Sequence, residues 1–467
     1  MSKKLFYPAL LIILINVPLV VLYKLYPLQL SGHDIEWLWP FAQSWHWFEK
    51  PFTQLFFHIL LPFFQLNPLP YYLVGFSLHT LIAILIFYLL KRILNNKNIA
   101  FVASFIFSIH YINTAVNLTI VHFAVKLSLL FFMLCFFCLV EFFEYKKIKF
   151  YLLGIFFFVL GISSKESIYC LPLILLCYAW IYKKVNFIKY CYPFFAIVAV
   201  HLAVILLVFP NTSAYLDDIK GTLINIKWLV VKFTTTLEML FIPFDFQGET
   251  VFFGSIYKHS ILLSLVILFC LLCFLRYVVN KDFKFTLAWL SLSILPSLFA
   301  RPDIILEKYL YLPLVPTSVF ISLLIYQIIK SNWLRVLIII ILCCSLYGSF
   351  CRRYIDHHIS TKLVHRLLEK EKKILLSYPK TSAVYHVNFP YWINRVEAFA
   401  PTGMRNLDYF YLKDKELKER SNICFKREGL NCKLFKFSKE MIYDKNIFLL
   451  YQDGEIIDVT PLLIEHQ

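Results

Sequence analysis

Five places in this chain of 467 residues set ionisable side chains where long apolar runs begin or end, and each joins residue types that chemistry uses. HDIEW holds Asp34 and Glu36 among aromatics. A carboxylate beside apolar surface has a raised proton affinity and can act as a general base toward a hydroxyl; two solvated loop carboxylates would read the same way. FSIHYINTAVNLTIVHF places His110 at the end of an apolar run and His122 twelve residues on, with no carboxylate nearby, so a structural histidine competes with a metal ligand. SSKESIYCLPLILL sets Lys165 beside Glu166 between two runs. A lysine there suits a phosphate diester as a point charge, and equally suits a turn closed by an ion pair. ARPDIILEKYLYLP gathers Arg301, Asp303, Glu307, Lys308, Tyr309 and Tyr311. The planar fork of Arg301 can take two phosphate oxygens, while the tyrosines also fit as anchors at a membrane interface. Asp217 and Asp218 lie in a polar stretch where solvated carboxylates are the simpler explanation.

The elements that must position these groups are membrane helices. The chain is 60% hydrophobic and only 16% charged, with a mean hydropathy of +0.69, more apolar surface than a water-soluble fold can hide. The apolar residues fall into runs of roughly 18 to 22, the length that crosses about 30 Å of hydrocarbon. Spacing and charge together predict about eleven transmembrane helices, near 5–23, 69–90, 99–112, 120–143, 150–163, 167–182, 190–209, 258–277, 285–300, 309–329 and 333–350. The first run is long for a signal peptide and has no small-x-small cleavage site, so a retained helix is expected. Cysteines such as Cys135, Cys138, Cys270 and Cys343 lie within the runs and read as small buried hydrophobes.

The net charge of +17 is spread as short basic clusters between runs, not as a stripe or tail, so membrane topology explains it and nucleic acid does not. Lys91/Arg92/Lys97, Lys146/Lys147/Lys149, Lys183/Lys184/Lys189, Arg276/Lys281/Lys284 and Lys330/Arg335 mark every second connection as cytoplasmic. The other connections, and the C-terminus, are then outside. The segment 224–246 departs from this pattern. It carries Lys232 and Glu238, and its ends must share a side, which predicts an interfacial or re-entrant helix. The first outside loop, 24–68, is rich in Trp and Pro and predicts short helices at the headgroup level.

After residue 350 the pattern changes. RRYIDHHISTKLVHRLLEKEKKILL has amphipathic helical spacing, and SAVYHVNF and NIFLLYQDGEIIDV alternate like strands. The fold class is thus an all-α polytopic membrane protein, residues 1–350, carrying a small extracytoplasmic α/β domain, residues 351–467. The sequence has no P-loop, GxSxG elbow, HExxH or Rossmann glycine pattern, so active chemistry here would draw on a membrane-delivered substrate.

Four stretches, taken in order, resemble the GT-C superfamily of membrane glycosyltransferases. These are YYLVGFSLHTLIAILIFYLL with His79, FSIHYINTAV with His110, SSKESIYCLPLILL with Lys165 and Glu166, and LEKYLYLPLVP with Glu307, Lys308, Tyr309 and Tyr311. The likeness is nearest to the protein O-mannosyltransferases and the tetratricopeptide-repeat transmembrane O-mannosyltransferases, without the repeats. It covers part of the membrane portion. It implies an inverting transfer of a hexosyl or mannosyl group from a polyprenyl-phosphate sugar to a glycan, lipid or protein acceptor at the outer membrane face. It also implies that an acidic residue of the first outside loop is the base, Asp34 first and Glu36 second. Lys165, Arg301 and Lys308 would then bind the donor phosphate, with His110, Glu166, Glu307, Tyr309 and Tyr311 in support. The chain departs from the pattern at Tyr111, where the family has proline, and at Ala115, where it usually has a carboxylate, which disfavours a divalent metal without excluding it; no cofactor is required. Lys308 stands where arginine is frequent. A transporter or lipid flippase, or a non-catalytic assembly subunit of the same superfamily, are the rival readings. Composition points to a bacterial inner membrane.

Overall fold

The computed structural model describes residues 6–30, 34, 50–65, 67–208, 226–242, 250–252, 280–299, 304–378, 384–390, 392–393, 396–397, 421–426, 447–452 and 455–461. Glu36, Arg301, Asp217, Asp218 and the expected helix at 258–277 lie outside the described residues.

The apolar runs fold as helices: α1 Phe6–Leu25, α2 Pro51–Phe64, α3 Pro68–Leu94, α4 Lys97–Ile109, α5 Asn113–Asn117, α6 Phe123–Tyr145, α7 Ile148–Ile162, α8 Leu171–Ile181, α9 Tyr192–Val208, α10 Ile226–Phe241, α11 Lys281–Phe299, α12 Leu314–Ile328 and α13 Asn332–Leu375. Five of the described helical stretches are long and apolar enough to cross a membrane: Phe6–Leu25, Pro68–Leu94, Ile120–Tyr145, Ile188–Ile205 and Asn332–Leu375. Others, such as Lys97–Ile109 and Ile148–Ile162, are apolar but shorter. The chain is an integral membrane protein of mainly helical build.

Local chemistry sets the turns. Asn67 caps α3 through a 3.2 Å bond from the Leu69 N–H, with Pro68 in the first position, where a missing N–H costs nothing. Asn95 ends that helix in the left-handed region, which asparagine tolerates, and the Asn96 side chain accepts from Asn98 and Ile99 to start α4. Two adjacent asparagines therefore fold α3 back along α4. The stretch leading through α6 is the centre of the bundle, with 89% of its most apolar window buried, against 11% for Ile188–Ile205, which lies at the periphery. It packs along α7 and α3, and α4 packs along α12.

Polar contacts divide the bundle into two ends. At one end the Tyr7 hydroxyl donates to Asn98 (2.9 Å), Arg92 pairs with Glu141 (2.8 Å), Lys184 pairs with Glu144 (3.3 Å) and the Tyr182 hydroxyl donates to Asp282 (2.8 Å). These are the clusters expected to be cytoplasmic. At the other end the Phe52 N–H donates to the Ser163 carbonyl (3.0 Å), the Thr53 hydroxyl to the Ser164 carbonyl (3.1 Å), and the Tyr72 hydroxyl to the carbonyls of Gln29 (3.1 Å) and Leu118 (3.2 Å). The short helix α2, inside the stretch expected to hold headgroup-level helices, is thereby fixed to the turn after α7.

The segment with Lys232 and Glu238 forms α10, at 16 residues about 24 Å long and so short of the roughly 30 Å of a bilayer core. Lys232 and Glu238 are buried against protein: the Lys232 ammonium donates to the Leu298 carbonyl at the end of α11 (3.2 Å).

The helices expected at 333–350 and from 351 onward are one unbroken helix. Its 44 residues extend about 66 Å. No proline interrupts it, and Gly348, which has no neighbour within 4 Å of a Cβ, is alone too weak to stop it. The first half carries apolar side chains outward, Trp333, Val336, Ile340 and Ile341 among them; the second buries a stripe at helical spacing, Phe350, Tyr354, His357, Thr361, Val364 and Leu368. Beyond it, β1 Val384–Pro390 pairs in parallel with β2 Ser421–Lys426 and β3 Ile447–Gln452, and β3 pairs antiparallel with β4 Glu455–Asp458. Alternating sequence at 382–389 and 446–459 accounts for three of these strands, all but Ser421–Lys426. Lys370 (2.8 Å) and Arg366 (3.3 Å) hold Glu455, and the Tyr378 hydroxyl donates to Asp458, tying sheet to helix.

Candidate functional site

Most of the described candidate residues lie at the second end. The turn Ser163–Lys165 follows α7, and Glu166–Cys170 is a single 3-10 stretch leading into α8. Lys165 is buried and pairs with Glu166 at 3.2 Å, while its carbonyl accepts from the Ser128 hydroxyl of α6 at 3.2 Å. Its ammonium stands 5.1 Å from the centroid of the Tyr309 ring, and the Lys308 ammonium 5.9 Å from the same ring. Ser128 and Ser167 share a hydrogen bond of 3.1 Å. Between α6 and the segment 308–312, Ser128, Ser167, Lys308 and Tyr309 line a narrow cavity with Val125, Leu129, Phe132 and Tyr311, large enough for about one water.

Lys50 belongs here as well, because α2 packs on the turn after α7 and brings this lysine within electrostatic reach of Glu166. Burial pushes the Glu166 carboxyl up, but Lys165 and then Lys50 outweigh it and hold it down at about 2. Lys165 and Lys50 thus face one carboxylate, and Lys308 shares the Tyr309 ring with Lys165. With its folded value below the ordinary carboxylate one, Glu166 stabilises the fold above about pH 4.5, and that contribution is lost as pH falls toward 2. Between pH 6 and pH 3 the thermal midpoint of the wild type should fall further than that of Glu166→Gln. Parallel curves would contradict this.

A second group is built on Glu307, which is buried in the 3-10 turn Glu307–Leu310. It forms an ion pair with Arg353 of α13, both side chains at most 4% exposed. The Arg353 guanidinium lies 4.9 Å over the Tyr111 ring, which stacks on His110 at 4.7 Å and donates its hydroxyl to the Met239 carbonyl of α10 (2.8 Å). Tyr311 sits deeper, with its hydroxyl 2.7 Å from Nδ1 of His79. Because Nε2 of His79 faces the Ser108 carbonyl (2.9 Å), Nε2 carries the proton and, in the neutral ring, Nδ1 accepts from Tyr311.

Asp34 is fully buried, and its Oδ1 accepts from the backbone N–H groups of Ile120 (2.6 Å) and Val121 (3.2 Å), where the central helical stretch begins. Helix starts offer unsatisfied donors and positive dipole to a carboxylate. Asp34 is not bonded to Lys165; their attachment points on the central stretch, residues 120 and 128, are eight residues or roughly 12 Å apart. The structure therefore brings Lys165, Glu166, Lys308 and Tyr309 together, joins Glu307 to His110 through Arg353 and Tyr111, and sets Asp34 beside them at the same end.

Three residues escape a reading by sequence. Lys126, fully buried in α6, is visible only as one cation inside a long apolar run, a signal that marks function by default. Arg353 looks like one base of an amphipathic helix, and Lys50 like one loop lysine. Among the described residues no group of three His, Cys, Asp or Glu comes together as a metal ligand set. The His122 ring bonds the carbonyl of Ala115 through Nδ1 (2.6 Å). Comparison of the chain with protein-family models and with curated proteins gives no match.

Proposed function

We propose that the protein is an inverting glycosyltransferase that moves a sugar from a polyprenyl-phosphate donor to an acceptor at the membrane face where this end of the bundle emerges. The observation that carries the proposal is the grouping of Lys50, Lys165 and Lys308 around Glu166 and the Tyr309 ring, at the same end as a buried carboxylate. In this mechanism the lysines, joined by Arg301, neutralise the departing phosphate, which acts as a point-charge ligand for ammonium groups. Asp34 takes the acceptor's proton as its oxygen attacks the anomeric carbon. Tyr309 and the apolar wall of α6 flank the path of the lipid. The eleven-helix count, the extracytoplasmic C-terminal domain, the outside C-terminus and a bacterial inner membrane belong to the same proposal, and follow from the alternation of basic connections.

One observation favours a rival. Asp34 is fully buried and bound by two backbone donors, which also suits a purely structural carboxylate in a non-catalytic assembly subunit. A transporter or flippase would use the same lysines to line a path. Purified full-length protein given a labelled polyprenyl-phosphate hexose and membrane extract as acceptor source distinguishes the three. Label moved covalently to acceptor supports transfer. Label crossing a proteoliposome with no covalent product supports transport. No turnover of any donor, with a transferase co-purifying, supports the assembly subunit.

A further inference from the structure

Lys126 lies in α6, fully buried, in a stretch read as crossing the membrane. Its ammonium is 4.9 Å from the centroid of the Phe123 ring, one turn nearer the helix start, and 2.7 Å from where a Cβ on Gly75 would stand. A side chain at 75 would press on both this ammonium and the Phe123 ring. Among the described residues no hydrogen-bond partner reaches its Nζ. Ammonium groups at such depth are costly and persist where they have a task. Side chains on a helix lean toward its N-terminus, so the ammonium at 126 reaches back over the turn at 120–121 that holds Asp34. Asp34 bears on this ammonium electrostatically, against the larger cost of its burial.

We propose that Lys126 is a positioning residue for Asp34: its buried ammonium is the fixed counter-charge that keeps the Asp34 carboxylate ionised at the helix start, and Gly75 keeps the space it occupies. From α3, Tyr72 faces Asp34 and His79 faces Lys126; Tyr354 of α13 and Tyr23 of α1 face Tyr72. None of these is an anion at neutral pH by its ordinary chemistry, so Asp34 and Lys126 form the opposite charges of this group. Without Lys126, Asp34 gains by holding a proton, and a base that already holds one cannot take another. That catalytic consequence rests on the glycosyltransferase proposal; the pairing of charges does not.

Stability and activity separate the two. Full-length Lys126→Met should lower the thermal midpoint by about 5 °C in the Asp34 background and by less than about 1 °C in the Asp34→Asn background. Equal losses in both backgrounds would overturn the pairing. If Lys126→Met yields no folded protein, recovery of monodisperse protein in Asp34→Asn/Lys126→Met supports the pairing, and failure to recover it overturns it. In the transfer assay, Lys126→Met should move the acid limb of the pH–rate profile upward by about one pH unit, whereas a merely structural loss lowers the rate at every pH. Stability coupling without any transfer would retain the pairing and refute the glycosyltransferase proposal.

Discussion

Arg353→Met is expected to destabilise the protein by about 3–5 kcal/mol, because removing one partner of a buried ion pair leaves the other charge uncompensated. The partner, Glu307, is buried, and the substitution also removes the cation over Tyr111. At about 2–4 °C per kcal/mol the thermal midpoint in detergent should drop by roughly 10 °C. Glu307→Gln/Arg353→Met, which removes both charges, should recover at least half of that loss, since a buried pair replaced as a unit costs little. The consequence is not only thermal. Glu307 precedes Lys308, Tyr309 and Tyr311 in one short segment, so the pair fixes that segment to α13, and its loss should also weaken donor binding. A midpoint within about 2 °C of wild type would mean that the pair does not hold the two elements together.

Asp34→Asn is the second large effect. Asparagine keeps an oxygen for the Ile120 and Val121 N–H groups, so the local backbone contacts survive. It cannot take a proton, and transfer of labelled sugar should fall by about 10²–10⁴-fold, the range general base catalysis supplies. The thermal midpoint should fall by no more than about 5 °C, mostly from leaving Lys126 without its counter-charge. Full activity in this variant would remove Asp34 from the mechanism.

How far the sequence led depended on which physical signal each element carries. Helices such as Pro68–Leu94 and Ile120–Tyr145 announce themselves through the length of an apolar run, and the strands at 384–390 and 447–452 through alternation. The unbroken course of Asn332–Leu375 was hidden, because a change from uniformly apolar to amphipathic composition resembles a boundary although nothing in it breaks a helix. Sequence motifs led to Lys165, Glu166, Lys308 and Tyr309, which do meet. They could not show that Glu307 finds Arg353, 46 residues on, since pairing across helices leaves no local spacing. Nor could they show what holds Asp34: its partners are backbone N–H groups, which every residue type possesses. Lys50 joins the lysine group only because α2 docks on Ser163 and Ser164 through main-chain carbonyls.

Whether the end of the bundle bearing Lys165 and Tyr309 receives a polyprenyl-phosphate sugar is decided with a photoreactive polyprenyl-phosphate sugar bound to the full-length protein in lipid nanodiscs. Adducts mapped by mass spectrometry to 163–170 and 304–312, and competed away by unlabelled donor, are the expected result. Adducts at the opposite end, around 92–98 and 141–149, or labelling that unlabelled donor does not compete, would contradict it.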